Sequence, residues 1–259
     1  MKSSNLEGIY LVLGADGNLG PGWVRAIVSS GGKVLALGLN ATNDANLQSI
    51  FSEHPESLEV YDYDLNSSNP SFLRTKIKTG ISGVVLNAGI DSLPGTGKSN
   101  IEDFTAVDWE YTFKVNVFGN IEFLNYILRN FKLNDASIVF IGSMYSQVSP
   151  QIDLYSHFNN GSGATKNPAY AASKAALLSA VRQYGTHLAP RGIRVNMLSP
   201  GGVRGNQDQI FIQKFNDKSP TGKMIEPESL GSHLVYLLSP MSKSLIGQNI
   251  LVDDGYSIW

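Results

Sequence analysis

The stretch Ile9-Tyr10-Leu11-Val12-Leu13-Gly14-Ala15-Asp16-Gly17-Asn18-Leu19-Gly20 decides the fold. Five apolar residues in a row read as a buried strand, and the glycines after Leu13 end it. A helical stretch, Leu19 to Ser30, follows at once. Glycine serves where a turn takes positive φ, where backbone approaches a pyrophosphate, and where a helix packs close on a strand. The start of the helix then offers free N–H groups and the positive end of its dipole to phosphate. Placed after the first strand of an alternating chain, the loop points to dinucleotide binding by Gly14, Asp16, Gly17, Asn18, Leu19 and Gly20. A purely structural turn is the competing reading.

The same alternation continues outward from this loop. Lys33 to Leu37 is a second apolar run, followed by a polar helical segment from Asn43 to Ser52. Leu58 to Tyr61 and Gly83 to Leu86 read as strands with a helix between them, and a long helix is predicted over Val107 to Phe131. Ser137 to Ile141 is a strand, Ala169 to Leu188 a helix, and Ile193 to Met197 a strand. Pro227 to Leu238 is a helix entered through proline, and Asn249 to Val252 the last strand. Such repeated units imply an α/β fold: a Rossmann-type, doubly wound parallel sheet of about seven strands, with right-handed crossovers and helices on both faces, a three-layer sandwich. No internal repeat or linker marks a boundary, so residues 1–259 are expected to form one domain, with substrate loops at 151–166 and 202–223.

Composition narrows the function. With 20 basic against 22 acidic residues, the net charge of -2 leaves no footprint for nucleic acid or an anionic membrane. The absence of cysteine excludes disulfides, thiolate metal sites and a cysteine nucleophile. His54, His157, His187 and His233 are scattered without ligand spacing, and no metal is expected. No signal peptide is visible, and the run Ile9 to Leu13 is far too short to span a membrane. The expectation is a cytoplasmic protein acting on a small molecule.

In open sheets of this kind the ligand lies beyond the carboxyl ends of the strands. Tyr170 and Lys174, four residues apart at the start of a helix, share one face. A free tyrosine has a pKa near ~10, and lowering it by ~3 units needs about 4 kcal/mol of differential stabilisation, which nearby cations in a water-poor site can supply. Ser143 follows the strand ending at Ile141, and Asn116 lies inside the long predicted helix, where asparagine is disfavoured. Asn87-Ala88-Gly89 and Pro200-Gly201 each end a strand in a turn where a cofactor could pass close.

Together with Gly247-Gln248 and Val252-Asp253-Asp254-Gly255, these residues resemble the short-chain dehydrogenase/reductase family over essentially the whole chain. The resemblance implies an NAD(P)-dependent enzyme that moves a hydride to or from a carbon bearing a hydroxyl or ketone. It implies Tyr170 as general acid/base, Lys174 as the group that lowers its pKa and binds the nicotinamide ribose, and Ser143 as a hydrogen-bond partner of the reacting oxygen. Asn116 would hold a water in a relay to Lys174, and Asp64 would contact adenine. Leu65, Asn87, Ala88, Gly89, Pro200, Gly201 and Val203 complete the implied cofactor site, and a homodimer or homotetramer packed through helices is the implied assembly. The C-terminal Tyr256-Ser257-Ile258-Trp259 is a candidate addition to that interface.

The match breaks in places. Leu13 stands where classical members carry threonine, and Asn18 where they carry the second glycine. The spacing of Gly14, Gly17 and Gly20 is that of the extended branch, which includes sugar-nucleotide epimerases and dehydratases. The second strand ends Leu37-Gly38-Leu39-Asn40, with neither an acid for a ribose 2′-hydroxyl nor an arginine for a 2′-phosphate. NAD is favoured over NADP. The threonine usual beyond the Pro-Gly turn is not recognisable in Gly202 to Asn206. Between Ser143 and Tyr170 lies about one extra loop's length, Gln151 to Lys166, carrying Tyr155, His157 and Phe158. This insertion is expected to wall a substrate site, against the alternative of a solvated loop. With the adjoining Ser-Pro-Gly-Gly-Val and Gly-Gln-Asn-Ile-Leu-Val-Asp-Asp-Gly motifs, it is similar to a subgroup linked to flagellin modification and surface-sugar biosynthesis. That similarity implies a sugar phosphate or nucleotide-activated sugar as substrate, its phosphate met by Arg204, Lys214, Lys218 and Lys223 unless these are simply solvated. A sugar-nucleotide epimerase or dehydratase retaining its NAD, and a non-catalytic NAD(P)-binding sensor, are the alternatives.

Overall fold

A computed structural model describes residues 5–91, 98–161 and 163–259. Seven strands form one wholly parallel sheet in the order β3-β2-β1-β4-β5-β6-β7. They are β1 (Ile9–Leu13), β2 (Lys33–Gly38), β3 (Leu58–Asp62), β4 (Ile81–Leu86), β5 (Leu133–Ile141), β6 (Arg194–Pro200) and β7 (Asn249–Val252). The helices are α1 (Gly20–Ser29), α2 (Ala45–Glu53), α3 (Leu73–Lys76), α4 (Ala106–Phe113), α5 (Asn120–Asn130), α6 (Pro168–Leu188), α7 (Gln209–Lys218) and α8 (Gly231–Leu238).

The unbroken apolar run of β1 follows from burial on both faces. Tyr10 and Val12 join a core with Trp23 and Ile27 of α1, Leu47 of α2 and Leu234 of α8. Leu11 and Leu13 point the other way, into a core with Leu124 of α5 and Leu177 and Val181 of α6. Each such side chain contributes about 1.5–3 kcal/mol when fully buried. The winding reverses at β1, which pairs with β2 on one side and β4 on the other, Leu13 standing opposite Leu37 and Leu86. A crevice opens at the carboxyl edge of such a switch point.

Two elements differ from the sequence-based expectation. The long helix over Val107 to Phe131 is interrupted by a π-helical turn, Lys114–Gly119, between α4 and α5. The side-chain amide of Asn120 donates to the carbonyls of Val115, Asn116 and Ala88, which supports the widened turn and ties it to the end of β4. The region 202–223, read as a loop, contains α7, capped by Asp208, whose carboxylate accepts from the Phe211 amide at 2.9 Å.

Part of the insertion is packed rather than solvated. Leu154, Tyr155 and Ala164 pack with Met144, Ile212, Phe215 and Tyr256 in a third, smaller core. Lys214 donates to the Asp153 carbonyl at 2.8 Å and to the Ser156 hydroxyl at 2.6 Å, and Lys218 pairs with Asp153 at 3.4 Å. These two lysines therefore clamp the insertion to α7, and the phosphate-binding role expected of them is corrected. Ser162 lies outside the described residues. At the C-terminal end Tyr256 stacks on Phe215, with ring centroids 4.7 Å apart, and the Trp259 indole donates to the Lys218 carbonyl at 2.7 Å.

Arg194 offers a test of how the sheet holds α8. Its buried guanidinium donates to the carbonyls of Leu237 (2.9 Å) and Ser239 (3.1 Å) and to the Ser242 hydroxyl (2.7 Å), completing the C-terminal end of α8. Arg194→Met removes these charge-assisted bonds, leaving the Leu237 and Ser239 carbonyls only the weaker bonds from the Ser137 and Ser242 hydroxyls, at about 2–4 kcal/mol. Thermal unfolding is expected to begin about 5–10 °C lower. A shift of about 1 °C, within the range of ordinary surface substitutions, would show that this cap contributes little.

Candidate active site

The turn from β1 into α1 is set by a close contact. Gly14 has φ +74°, and a Cβ there would fall 2.7 Å from the backbone N and Cα of Ala88. Only glycine lets the ends of β1 and β4 meet this way. Asn87 fastens the junction: its Nδ2 donates to the Gly14 carbonyl at 2.7 Å, and its Oδ1 accepts from the Trp23 indole at 2.9 Å. The amides of Gly14 and Ala15 donate to the Leu37 carbonyl at 2.7 and 2.9 Å, which ties the loop to β2 as well. Leu19, at the N-cap of α1, has no side chain able to satisfy the first N–H groups of the helix.

Along this edge lies a cleft of about 480 Å³. Of the residues expected at a cofactor site, Gly14, Asp16, Gly17, Asn18, Leu19, Asp64, Leu65, Asn87, Ala88, Gly89, Tyr170 and Lys174 line it. Gly20 lies beneath the loop, where a Cβ would meet the Ala15 carbonyl oxygen at 2.2 Å. Pro200, Gly201 and Val203 do not line this cleft. Gly201 abuts the backbone of Asp253, and Val203 bridges to Ile225. Asp64 is engaged by its own turn, accepting from the Asn66 amide at 2.8 Å and the Ser67 hydroxyl at 2.7 Å. Those bonds hold its carboxyl below the ordinary range.

The four residues expected to carry chemistry converge beyond β4 and β5. Lys174, on the first turns of α6, is buried and donates from Nζ to the Ile141 carbonyl at 2.9 Å. Burial disfavours its ammonium and pushes the pKa down to about 8. The Lys174 Nζ stands 5.7 Å from the centre of the Tyr170 ring. Burial and the Asp91 carboxylate push the Tyr170 phenol up, while the Lys166 ammonium and the neighbouring Ser143 hydroxyl act the other way. The Ser143 oxygen also accepts from the Tyr145 amide at 3.2 Å, which fixes its orientation.

Asn116 is fully buried by the π turn. Its Nδ2 donates to the Ser173 hydroxyl (3.0 Å) and the Ile90 carbonyl (3.1 Å), and its Oδ1 accepts from the Ile90 amide (2.8 Å). Both amide hydrogens are thus taken up by protein acceptors. The water-holding role implied by the resemblance has only the remaining Oδ1 lone pair to draw on.

Two charged groups of the site were missed in the sequence reading. Lys166, at the end of the insertion, lies over the rings of Tyr170 (4.9 Å) and Tyr145 (5.1 Å) and is ion-paired with Asp91. Burial disfavours its charge, but Asp91 and the neighbouring phenols outweigh that and hold its pKa above the ordinary value. The available signal was a lysine four residues before Tyr170, mirroring Lys174 four residues after it. Asp91 carried none, because only the fold brings it to Lys166.

A proton donor beside a second hydroxyl, with two lysines over its ring, can pass a proton to or from one oxygen held between Ser143 and Tyr170. The rest of the cleft fits a nicotinamide dinucleotide: a glycine cradle that a Cβ would fill, the positive end of the α1 dipole for phosphate, and Asp and Asn side chains for ribose and base. Among the described residues no group of three or more His, Asp or Glu side chains is arranged to hold a metal ion, and no helix is long and apolar enough to cross a membrane.

Comparison with known proteins agrees with this reading. A family model described as enoyl-(acyl carrier protein) reductase matches residues 14–257. The 2,3-dihydro-2,3-dihydroxybenzoate dehydrogenase of Escherichia coli (strain K12) is 25% identical over 263 residues, covering 95% of this chain and 96% of its own. Post-translational flagellin modification protein A of Campylobacter coli is 29% identical over 127 residues, 49% of this chain and 48% of its own. The crystal structure of a short chain dehydrogenase from Leptospira borgpetersenii with bound NAD+ superimposes with a TM-score of 0.82 at 24% identity, covering 98% of this chain and 94% of that one; this likeness shows the shared fold. The fold and the site define a nicotinamide-dependent oxidoreductase. The chain belongs to the short-chain dehydrogenase/reductase family.

The buried lysine makes a stability prediction. Its pKa is 10.5 in a free chain and about 8 in the fold, so between these values the native state binds fewer protons than the unfolded one. Lys174 therefore weighs against folding below pH 8, and its contribution makes stability rise with pH from about 8 to 10.5. Lys174→Met removes that slope. Denaturant titrations are expected to show the wild type gaining on the variant as pH rises from 8 toward 10.5. A difference that does not change with pH would mean that Lys174 keeps an ordinary pKa.

Proposed function

We propose that the chain transfers a hydride between NAD and a carbon bearing a hydroxyl or ketone in a small, polar, anionic substrate, a sugar phosphate or nucleotide-activated sugar. The observation that carries this reading is the Tyr170 phenol, placed beside the Ser143 hydroxyl and flanked by Lys166 and Lys174, at the end of a cleft that begins in the glycine loop. Bound NAD(H) would supply or accept the hydride. In the reductive direction Tyr170 gives its proton to the carbonyl oxygen while Ser143 donates a hydrogen bond to the same atom. Because burial and Asp91 favour the protonated phenol, the resting site is poised as an acid. In the oxidative direction Tyr170 must take the alcohol's proton, and the two lysines favour the phenolate that this requires. Asn116 and Ser173 brace the segment after β4 against α6, keeping Lys174 in place.

The substrate side is walled by the insertion, whose Tyr155 is packed against Tyr145 with hydroxyls 3.3 Å apart. The relatives support a hydroxylated substrate: one is named for a dihydroxylated benzoate, and the other, for flagellin modification, accords with the subgroup to which the insertion is similar. Exposed Val107 (72%) and Phe118 (56%) on α4 and the π turn support self-association as a homodimer or homotetramer, and the setting proposed is the cytoplasm.

The test is oxidation of NADH with keto-sugar phosphates, nucleotide-activated keto-sugars and ketones of hydroxylated ring acids. Turnover is expected with one of these classes, and Tyr170→Phe is expected to lower kcat by about 10²–10⁴ while NADH affinity changes little. A Tyr170→Phe enzyme with unreduced kcat would overturn the assignment. Replacing residues 151–166 with a short glycine-serine link is expected to raise KM for the substrate far more than the Kd for NADH. Equal effects on both would contradict a substrate-facing insertion.

A further inference from the structure

The end of β2 has no acidic side chain of its own, yet a carboxylate stands there. A Cβ built on Gly38 would fall 2.0 Å from Oδ1 of Asp16 and 2.4 Å from its Cγ. The carboxylate thus fills the space in which a side chain at position 38 would begin. It is held there by the Asn40 amide, which donates to Asp16 Oδ2 at 2.7 Å. Glycine at 38 and acid at 16 are complementary: any larger residue at 38 would expel the Asp16 carboxylate.

Three features suggest a binding role beyond bracing the turn. Asp16, Gly38 and Leu39 line the same cleft. Among the described residues no lysine or arginine pairs with Asp16, and its Oδ1 receives no hydrogen bond. The acceptor is therefore free at the point where an acid following the second strand would meet the adenosine ribose of a dinucleotide.

We propose that Asp16 selects the cofactor: reaching from the glycine loop to the end of β2, it accepts from a ribose hydroxyl of NAD and repels the 2′-phosphate of NADP. The inference rests on the reading of the cleft as a dinucleotide site. It assigns discrimination to a residue on the first loop of the chain and makes Gly38 the gap that admits it. A phosphate at this point would face a fixed negative charge with which no lysine or arginine among the described residues is paired. Like charges set against each other lower affinity by about 100-fold at this order of magnitude.

The test is equilibrium binding of NADH and NADPH to the full chain, followed by calorimetry and by nicotinamide fluorescence. The wild type is expected to bind NADH about 100-fold more tightly than NADPH. Asp16→Asn keeps an acceptor for the Asn40 amide but removes the charge, and is expected to recover at least about tenfold of the NADPH affinity. Asp16→Ser, which removes the charge with a shorter side chain, is expected to do the same and covers a failure of the first variant to fold. Equal affinity of the wild type for both cofactors overturns the proposal, as does an unchanged NADH-to-NADPH ratio in a folded variant. Failure of the wild type to bind either dinucleotide is a different result: it overturns the reading of the cleft itself.

Discussion

The contact on which the rest of the site depends is the meeting of two backbones at Gly14 and Ala88. The strand order reverses at β1, so the connections leaving β1 and β4 run to opposite faces of the sheet and part at their carboxyl ends. The cleft lies in that gap. It stays narrow because Gly14 has no side chain, and it stays in register because Asn87 bonds the Gly14 carbonyl on one side and the Trp23 indole on the other. One asparagine thus links the glycine loop, the first helix and the segment that leads toward Lys174.

A second constraint is the ammonium of Lys174. It is buried, with the Ile141 carbonyl as its one acceptor among the described residues, and an ion in that position is unfavourable unless something compensates. The fold leaves that cost in place, and a pKa of about 8 is the result. Such a lysine is readily neutralised and its charge is sensitive to what binds beside it, which suits a group that must respond to a neighbouring phenol. The insertion adds a second cation through Lys166, but with its own counter-ion, Asp91. Among the described residues, Tyr170 therefore sits between one lysine that is ion-paired, Lys166, and one that is not, Lys174. The net electrostatic balance there depends on whatever enters the cleft.

The fold was legible because its signals are local and redundant. The double burial of β1, the glycines after it and the regular alternation of periods each imply a parallel sheet, and six of the seven strands lie within a few residues of where the periodicity put them; β5 begins at Leu133, four residues before the Ser137 start expected of it. Tyr170, Lys174 and Ser143 were legible for a related reason: they stand at ends of regular elements. What escaped reading depends on contacts distant in sequence. The π turn has no compositional mark apart from Asn116 and Asn120, whose amide bonds to β4-end carbonyls are visible only once the helix lies against the sheet. α7 was hidden because its apolar residues serve the small core under the insertion rather than the main sheet. Lys214 and Lys218 read as free cations because Asp153, their partner, is far away along the chain.

The central claim is that a nicotinamide dinucleotide lies across the β1–β4 junction and reaches Tyr170. Amide hydrogen exchange of the whole chain with and without saturating NADH tests it most directly. The account predicts slowed exchange in the glycine loop after β1, at Gly38 to Asn40, at Asn87 to Ile90 and around Gly142 and Ser143. Protection absent from these segments, or confined to a cavity on the α5 side lined by Tyr63, Phe123 and Arg129, would contradict it.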